Sequence, residues 1–446
     1  MSTASVKTIQ IMSQIVNELP VGTNLALLHL MWAMVNGSFL ESRGAVHGAL
    51  LAAGFDDEEV SRGWQALRSG VWSIEELIQR WREIVLNEGQ WQVRSFEGYK
   101  PIGVDTTNFR RPRLKKGGGK FYHHLIQRAV TGVGVGVVTE VGHVAGHRIP
   151  VVREIIAPKA GAENDKDLKQ YILQRVGRTL AADEVIVHDA GAKISDMHEC
   201  QVPRFVIRMA ANCTVRRNIL PEPKKYGRRP EYGAVIRPLA RTWKDRTIAA
   251  TPPDSRKRFR FEGRLIEVLS WYDAVSSDQK VDPANKPFDL FVFIDPLYEN
   301  PMILATNIKA KPKTLLSLYV DRWPVEQPPQ TTKQMIGLQR QYVSHPVSCK
   351  RLPHLGLLVG NILTYLAAVL PPIPTGFWDR HPKKHPVAYG ASWPAVIFQS
   401  LPWRTHDFGK SSLLQPIYPR GESFRRPNLA DLGLRAPQHP VLGLIC

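Results

Sequence analysis

The stretch Ile102–Thr107 reads IGVDTT, a short apolar run that ends in an aspartate, Asp105, and continues into two threonines. A second stretch, Val185–Gly191, reads VIVHDAG and has the same layout around Asp189. Short apolar runs that stop at a polar residue are typical of buried strands. Carboxylates at the ends of neighbouring strands can share divalent cations, so the two stretches predict a metal site at one edge of a sheet.

A third acid, Glu326, lies in a later segment whose polar residues are regularly spaced. Two residues separate Tyr319 from Arg322, three separate Arg322 from Glu326, and six separate Glu326 from Lys333. Positions three and four apart share one face of a helix, so Tyr319, Arg322 and Glu326 are predicted to point the same way. Together with the two aspartates, this glutamate could hold two divalent cations that drive in-line attack at a phosphodiester.

In these features the chain resembles the DDE transposases of the IS4 type, which carry the signature Tyr-x2-Arg-x3-Glu-x6-Lys. The resemblance covers roughly residues 98–370. It implies an α/β fold in which an RNase H-like mixed sheet is flanked by helices. It also implies an enzyme that cuts DNA at transposon ends and joins them to target DNA. The expected partners are double-stranded DNA, as terminal inverted repeats and target, and a second copy of the chain in a synaptic homodimer.

The same resemblance assigns the catalytic and metal-binding roles to Asp105, Asp189 and Glu326. Two Mg²⁺ ions are expected in each active site, and Mn²⁺ can substitute for them. Asp105 would bridge both ions, while each of the other acids would hold one. One ion would lower the pKa of a water or a 3′-hydroxyl, and the other would stabilise the departing oxygen. The expected supports of DNA and active site are Tyr319, Arg322 and Lys333.

Prolines surround Glu326 and argue against one regular helix in this segment. Pro324 precedes the glutamate, and Pro328 and Pro329 follow it. An interior proline removes a backbone hydrogen bond and costs about 3 kcal/mol, so the segment is predicted to have three parts. A helix ends near Arg322, a kinked turn carries Glu326, and a second helix starts near Pro329.

The composition favours a polyanionic partner. The chain has 446 residues, a net charge of +19, a sequence pI near 9.8 and 43% hydrophobic residues. The hydrophobic fraction is that of a soluble globular protein, and the length predicts about two to four domains. Such an excess of positive charge usually indicates DNA or RNA, and a basic protein without such a partner is the alternative.

Candidate DNA contacts are one tryptophan and several basic clusters. Trp323 could stack on an unstacked base near the cut, and core packing is the alternative for the same ring. A run of charge is often only a solvated surface. Runs that accompany three metal-binding acids favour a DNA track, whose affinity falls steeply with salt. The basic candidates are Arg110, Arg111, Lys115, Lys116, Arg228, Arg229, Arg241, Lys244, Arg256 and Arg258.

Residues 1–95 are predicted to form an all-helical domain. Within it, Ala45–Ala53 and Glu58–Leu67 resemble a helix-turn-helix, and the second of these helices would be capped by Asp56 or Asp57. The domain is expected to bind the transposon end. A plain helical bundle that packs on the catalytic core is the alternative.

Residues 96–209 and 286–370 are predicted to form the two parts of the catalytic core. Three strand-like stretches, a helix over Asp165–Leu180 and the strand before Asp189 follow one another in the opening order of an RNase H-like sheet. Between the two parts, residues 210–285 are predicted to form an inserted β-rich subdomain. The acids in or near it that compete with Asp189 are Asp273, Asp289 and Asp295.

The last part of the chain, residues 371–446, is rich in proline, tryptophan, arginine and histidine. Its frequent prolines break any long element. The tail is expected to contact a partner subunit or DNA, and a weakly ordered appendage is the alternative.

Several observations favour the bacterial cytoplasm, with the protein associated with the nucleoid when it binds DNA. The four cysteines form no CxxC pair and are typical of isolated reduced thiols. The first residues lack the charged-then-apolar layout of a signal peptide. The apolar stretch Leu355–Leu370 contains Asn361 and is shorter than the roughly 20 residues that span a bilayer, so a buried core helix is predicted.

Two other functions fit the same residues. A nuclease of the same fold would cleave DNA without joining it. A non-catalytic DNA-binding protein derived from a transposase would keep all its activities after Asp105→Ala. The presence of all three acids favours the transposase over this second alternative.

Overall fold

The computed structural model describes residues 3–111, 113–114, 118–123, 127–158, 164–223 and 229–372. Three of the predicted DNA contacts, Lys115, Lys116 and Arg228, lie outside the described residues. The predicted proline-rich tail does so too, apart from its first two residues.

Helices fill the N-terminal part of the chain, as predicted. Asp56 caps the fifth of them: the N–H of Glu59 donates to Asp56 Oδ1 at 2.8 Å, and the Glu59 carboxylate accepts from the N–H of Asp56 at 3.0 Å. Ser73 and Glu76 cap the sixth helix in the same reciprocal way. The helices are α1 (Thr3–Val16), α2 (Thr23–Val35), α3 (Ser38–Glu41), α4 (Val46–Ala52), α5 (Asp57–Ser69) and α6 (Ile74–Glu88).

The next part of the chain contains the predicted order of three strands, a helix and a strand, with short additional strands. Apolar residues continue through each long strand, so both faces of the sheet are covered. The elements are β1 (Gln92–Val93), β2 (Lys100–Arg110), β3 (Gly119–His123), β4 (Arg128–Val144), β5 (His147–Ile156), α7 (Asp165–Thr179), β6 (Glu184–His188), α8 (Ile194–Glu199) and β7 (Phe205–Met209).

The stretch that follows is rich in strands, and most of them extend the same sheet. Only β10 and β11 form a separate two-stranded hairpin within the described residues. The strands are β8 (Val215–Arg217), β9 (Val235–Ile236), β10 (Arg241–Trp243), β11 (Arg246–Ile248), β12 (Ser255–Phe261), β13 (Arg264–Ser276), β14 (Phe288–Ile294) and β15 (Met302–Thr306).

The main sheet is mixed. In the part of the chain that the structure describes, it has thirteen strands, in the order β1-β4-β2-β6-β7-β15-β14-β13-β8-β9. β3 and β5 also pair with β4, and β12 pairs with β13. The pairs β2–β6 and β6–β7 are parallel, whereas β2–β4, β4–β5 and the strands from β15 onward are antiparallel.

Helices cover both faces of this sheet. On one face, α7 and α8 bury Leu168, Ile172 and Met197 against β2, β6 and β7. The other face carries the elements that follow β15, which pack on Val185 and Phe109. They are α9 (Pro312–Val320), a 3-10 turn (Trp323–Glu326), α10 (Gln327–Gln330), a π turn (Thr331–Met335) and α11 (Pro346–Val369).

The helix α11 is a core helix. Among the described residues it is the one helix whose length and apolar composition would suffice to cross a membrane, but 94% of its apolar window is buried by the rest of the protein. This environment is the one predicted for Leu355–Leu370, and it is consistent with a soluble protein.

The N-terminal helices and the sheet are joined by one continuous core. Apolar side chains of α2, α5 and α6 lie in the same cluster as those of α11, β4 and β5. The buried amide of Asn361 links three of these elements. Its Oδ1 accepts from Trp81 Nε1 at 2.8 Å and from the N–H of Val152 at 2.9 Å, and its Nδ2 donates to the Pro150 carbonyl at 2.6 Å.

Candidate active site

Strand register brings Asp105 and Asp189 side by side. The parallel strands β2 and β6 pair residue by residue from Lys100 with Glu184 to Gly103 with Val187. Each aspartate lies two residues beyond the last pair. The predicted juxtaposition of the two acids therefore follows from the register of neighbouring parallel strands.

Asp105 lies in the middle of its strand, so the prediction that the strand ends at this aspartate was wrong. β2 continues to Arg110 because β4 pairs with it up to that residue. The neighbouring strand β6, by contrast, ends at His188. Beyond Gly103, no described strand pairs with β2 on the side of β6, so the site lies at an unpaired edge of the strand beside Asp105.

The carboxyl group of Asp105 lies in an unfavourable electrostatic environment. Burial and the charge of Asp189 raise its pKa to about 6, and the charge of Glu326 acts in the same direction. The N–H of Thr106 donates to Oδ1 at 2.8 Å and partly offsets this effect. All three predicted acids are thus close enough to interact through their charges.

Asp189 sits in a tight turn after β6. Nδ1 of His188 lies 2.9 Å from its Oδ1, and the N–H of Gly191 donates to the same oxygen at 2.8 Å. Burial alone would raise the pKa of Asp189. The contact with His188, the N–H of Gly191 and the nearby charge of Arg322 outweigh burial and hold that pKa well below its ordinary value.

Glu326 closes the 3-10 turn and reaches the site because its neighbour packs on β2. A Cβ added to Gly103 would lie 3.1 Å from Cβ of Val325 and 2.9 Å from Oγ1 of Thr139, so only glycine leaves room for the turn. Gly103 and Asp105 face the same side of β2. Seating Val325 over Gly103 therefore places Glu326 towards Asp105.

The prolines shape the Glu326 segment almost as predicted. α9 ends at Val320 and a 3-10 turn carries the glutamate, but the next helix begins at Gln327, before the predicted Pro329. A π turn over Thr331–Met335 then carries Lys333. Prolines fit here because they lie in first turns, where their missing N–H leaves no bond unmade.

Two glycines of α11 hold this segment close. The hydroxyl of Thr332 can donate to either of two backbone carbonyl oxygens. The oxygen of Pro328 lies 2.7 Å from Oγ1, and the oxygen of Gly356 lies 2.9 Å from it. A Cβ on Gly360 would lie 2.7 Å from that hydroxyl and 2.9 Å from the Pro328 carbonyl. The close approach of α11 therefore fixes the segment between Glu326 and Lys333.

Arg322 connects the signature residues. Its Nη2 lies 2.9 Å from Oε1 of Glu326, and its guanidinium lies over the ring of Tyr319, 5.8 Å from the centroid. The side chain is 7% exposed, and its Nε is buried without a partner among the described residues. The three residues share one face, as the spacing predicts.

Lys333 also reaches the site. Its Nζ donates to Oγ1 of Thr107 at 2.6 Å and lies 5.4 Å from the centroid of the Phe109 ring. Burial lowers the pKa of Lys333 to about 8, even though the charge of Asp105 acts in the opposite direction. Thr107 and Asp105 are on the same face of β2, so the ammonium lies beside the acids.

The donor chemistry suits hard divalent cations, but the ligands are not gathered into a finished cage. Within the described residues, no group of three Asp, Glu, His or Cys side chains is arranged to hold one metal ion. The Glu326 carboxylate contacts Arg322, and Oδ1 of Asp189 contacts His188. The residues that could hold Mg²⁺ are the three acids, because carboxylate oxygens and waters are its preferred ligands.

The predicted DNA contacts fall into two groups. Trp323 is 57% exposed, so core packing is excluded as the reason for its presence. Arg111 donates to the Val343 carbonyl and to Sγ of Cys349, so its guanidinium is engaged within the protein. Arg110 is half-buried beside Lys333, and Arg241 donates to the Asn212 carbonyl at 2.9 Å. The exposed candidates are Arg229, Lys244, Arg256 and Arg258.

The competing aspartates lie elsewhere in the sheet. Asp289 is on β14 and pairs with Lys309 at 2.9 Å, and Asp295 pairs with Arg264 at 3.1 Å. Asp273 is on β13. β7 and β15 separate β14 from β6, so Asp189 is the acid that lies beside Asp105.

Sequence reasoning missed two residues of the site. His188 was interpreted only as the last residue of the apolar run before Asp189, and Thr107 only as the second of two threonines that follow Asp105. The signal for His188 is its place directly before a candidate ligand, where an aliphatic residue would continue the run. For Thr107 it is the two-residue spacing from Asp105, which puts both on one face of a strand.

Comparison with known proteins identifies no family for this chain. No protein-family model matches it, and a search of the curated proteins finds no match. The function of the protein is therefore inferred from the residues and the geometry of the site.

Proposed function

We propose that the protein is a DNA transposase of the DDE class, which cleaves transposon ends and transfers them to target DNA. The sheet order β5-β4-β2-β6-β7, antiparallel in its first three strands and parallel in the rest, supports an RNase H-like catalytic core. The net charge of +19 supports a nucleic-acid partner.

One observation carries the proposal. Asp105, Asp189 and Glu326 come from distant parts of the chain, yet their charges act on one another at a single place on the sheet. Lys333 joins them through Thr107. Burial and these neighbouring acids raise the pKa of Asp105, even though Lys333, Arg322 and His188 supply basic groups around the three acids. Such strain is typical of functional sites.

In this proposal the three acids bind two divalent cations. When bound, these cations supply an activated water or 3′-hydroxyl and stabilise the leaving oxygen of a phosphodiester. Asp105, whose charge interacts with those of both other acids, would supply a carboxylate ligand together with them. Asp189 would offer its second oxygen, since its contacts with His188 and Gly191 within the described residues both reach Oδ1.

Glu326 must change partners in this proposal. Its carboxylate, 37% exposed, pairs with Arg322 at 2.9 Å. Rotation about its side-chain bonds would release the carboxylate towards the cations and free the guanidinium of Arg322 for a phosphate, which its planar fork suits. Lys333, beside Asp105, and the exposed Trp323 would contact the DNA strand.

Strand transfer tests the proposal. Purified protein is incubated with Mg²⁺, a supercoiled target plasmid and labelled duplexes taken from the DNA that flanks the coding sequence. We expect nicking of an end duplex and its covalent joining to the plasmid. Asp105→Asn, Asp189→Asn and Glu326→Gln should each lower both rates by several powers of ten, roughly the loss typical of metal-ligand residues, while the DNA affinity changes little.

The matched control is Asp289→Asn, which removes a buried acid of the same sheet outside the site. This variant should cleave and join like the wild type if it folds. Cleavage without joined product would favour a nuclease of the same fold. If Asp105→Asn left every activity unchanged, the proposal would be overturned.

A further inference from the structure

The imidazole of His188 contacts a candidate metal ligand. His188 ends β6 and is 4% exposed, and its Nδ1 lies 2.9 Å from Oδ1 of Asp189. Nδ1 also lies 3.3 Å from the backbone carbonyl oxygen of Asp189, an atom that can only accept a hydrogen bond. Nδ1 therefore carries the hydrogen and donates it.

The same carboxylate oxygen is held from a second side. The N–H of Gly191 donates to Oδ1 of Asp189 at 2.8 Å. A Cβ on Gly191 would lie 2.9 Å from that oxygen, so a larger residue would push the carboxylate away. Within the part of the chain that the structure describes, the contacts of this carboxylate with His188 and Gly191 both reach Oδ1, and the side chain is 43% exposed.

The imidazole is retained at a cost to stability. Nε2 of His188 is buried and has no hydrogen-bond partner among the described residues. A buried polar atom without a partner is unfavourable, because it has lost its hydrogen bonds to water. Valine or isoleucine, which fill the preceding positions of β6, would avoid that cost. The contact with Asp189 is therefore the feature that distinguishes histidine from an aliphatic residue here.

We propose that His188 is a positioning residue for cation binding. Its Nδ1–H and the N–H of Gly191 fix Oδ1 of Asp189, and the carboxylate then presents Oδ2 to a divalent cation. This inference rests on the proposed function. Groups that orient metal ligands in this way typically contribute about 10- to 100-fold to metal affinity or activity.

Direct binding of Mn²⁺ to the DNA-free protein tests this role. The variants are His188→Leu, which removes the donor, and His188→Asn, whose amide can replace it. Gly191→Ala displaces Oδ1 without changing the histidine, and His198→Leu is the control, because that ring lies against Phe205 and not against a carboxylate. Electron paramagnetic resonance of free Mn²⁺ gives the affinity, and cleavage at increasing Mg²⁺ gives the concentration for half-maximal rate.

We expect His188→Leu and Gly191→Ala to weaken Mn²⁺ binding by about tenfold or more. The Mg²⁺ concentration for half-maximal cleavage should rise by a similar factor, and the DNA affinity without metal should not change. His188→Asn should lie closer to the wild type, and His198→Leu should match it. Rescue by asparagine separates positioning from simple packing.

A folded His188→Leu protein with wild-type Mn²⁺ affinity would overturn the positioning role and leave the transposase proposal intact. If that variant does not fold, wild-type affinities in both His188→Asn and Gly191→Ala would overturn it. If the wild-type protein neither binds Mn²⁺ nor cleaves DNA, the proposed function fails, and the role of His188 fails with it.

Discussion

Asp105 carries a largely buried carboxyl group beside two other acids, Asp189 and Glu326. A stable protein would place an apolar residue or a cation there, since charged groups of like sign in a poorly solvated place oppose one another. The ammonium of Lys333 is nearby, but burial lowers its own pKa to about 8. Asp105, the residue that the proposed chemistry needs most, therefore carries a charge that destabilises the folded protein.

Asp105→Asn is expected to stabilise the cation-free protein at neutral pH. The pKa is about 6 in the folded state against an ordinary 3.8, so the folded state keeps a proton that the unfolded state has lost. Stability therefore falls as pH rises from about 4 to about 6 and stays lower above that range. The full difference is about 3 kcal/mol, and partial exposure reduces the expected gain to about 1–2 kcal/mol.

Denaturant unfolding at pH 7.5 and at pH 3.5 measures this effect. The gain should appear at the higher pH and largely vanish at the lower one, where the carboxyl group is mostly neutral in both states. Asp183→Asn is the control, because that exposed acid pairs with Lys100 and should give no gain. Lower stability of Asp105→Asn at pH 7.5 would contradict the prediction.

At the residue scale, the sequence predicts which groups meet but not how they are held. The order of the three acids along the chain predicts that they meet. The spacing of Tyr319, Arg322 and Glu326 predicts that these three residues share one face. Spacing along a chain does not define partners across it. The bond of Lys333 to Thr107 spans distant parts of the chain and depends on a strand register that only pairing fixes.

At the element scale, α11 determines where the proline-rich segment lies. Gly356 and Gly360 are one helical turn apart, so they form a shallow groove on one face. The segment from Pro328 to Leu338 lies in that groove. The hydroxyl of Thr332 packs against Gly360 and lies within hydrogen-bonding distance of the carbonyl oxygen of Gly356. From the sequence, the prolines indicate where this segment breaks. The path of the segment, however, depends on α11, which follows it in the chain.

Gly360→Ala is expected to displace the segment that carries Glu326 and Lys333. Its Cβ would lie 2.7 Å from Oγ1 of Thr332 and 2.9 Å from a backbone carbonyl, neither of which can yield easily. Overpacking of this kind costs about 1–3 kcal/mol. Thermal unfolding should show that loss, and cleavage at saturating Mg²⁺ should fall further than the stability change explains.

The matched control is Gly177→Ala in α7. A Cβ there would meet its nearest neighbour, Val202, at an ordinary 3.5 Å. In a helix the change from glycine to alanine should then be neutral or stabilise by up to about 1 kcal/mol. Equal effects at both positions would contradict the role given to the groove.

His354, also on α11, is expected to make the stability of the folded protein sensitive to acid. It is 7% exposed with Nε2 unpartnered among the described residues, and burial lowers its pKa to about 4. Below about pH 6.5 the unfolded state takes up a proton that the folded state refuses, so stability falls until about pH 4. The loss amounts to about 3 kcal/mol over that range.

His354→Leu should flatten this part of the stability curve. Denaturant unfolding between pH 7 and pH 4 measures the slope, with the exposed His47→Asn as the control. The wild type and the control should lose stability in parallel, and the variant should lose less. Parallel curves for all three proteins would contradict the assignment of acid sensitivity to His354.

At the scale of the whole molecule, the positive charge is divided between the two faces of the sheet. Register through β7, β15, β14 and β13 places Lys257 on the face that carries Asp105. The same alternation places Arg256 and Arg258 on the opposite face, where both lie within 4.0 Å of Glu267. The sequence shows one basic run, and only the pairing of β12 with β13 separates its members.

Lys257→Ala is therefore expected to weaken DNA binding more than Arg258→Ala. Each phosphate contact contributes about one unit to the slope of log affinity against log salt concentration. Loss of Lys257 should lower that slope by about 1, while loss of Arg258, which pairs with Glu267, should leave it nearly unchanged. Titration of a labelled duplex at several salt concentrations measures both, and equal slopes would contradict the division.

The continuous core between the N-terminal helices and α11 affects how the chain is made. Synthesis produces α1–α6 early, but the helix that covers their apolar sides ends only at Val369. Until that helix leaves the ribosome, the apolar sides of α2 and α5 lack this partner, and Trp81 lacks the amide of Asn361. We therefore expect nascent chains of this protein to expose apolar surface until late in their synthesis and to need protection from aggregation.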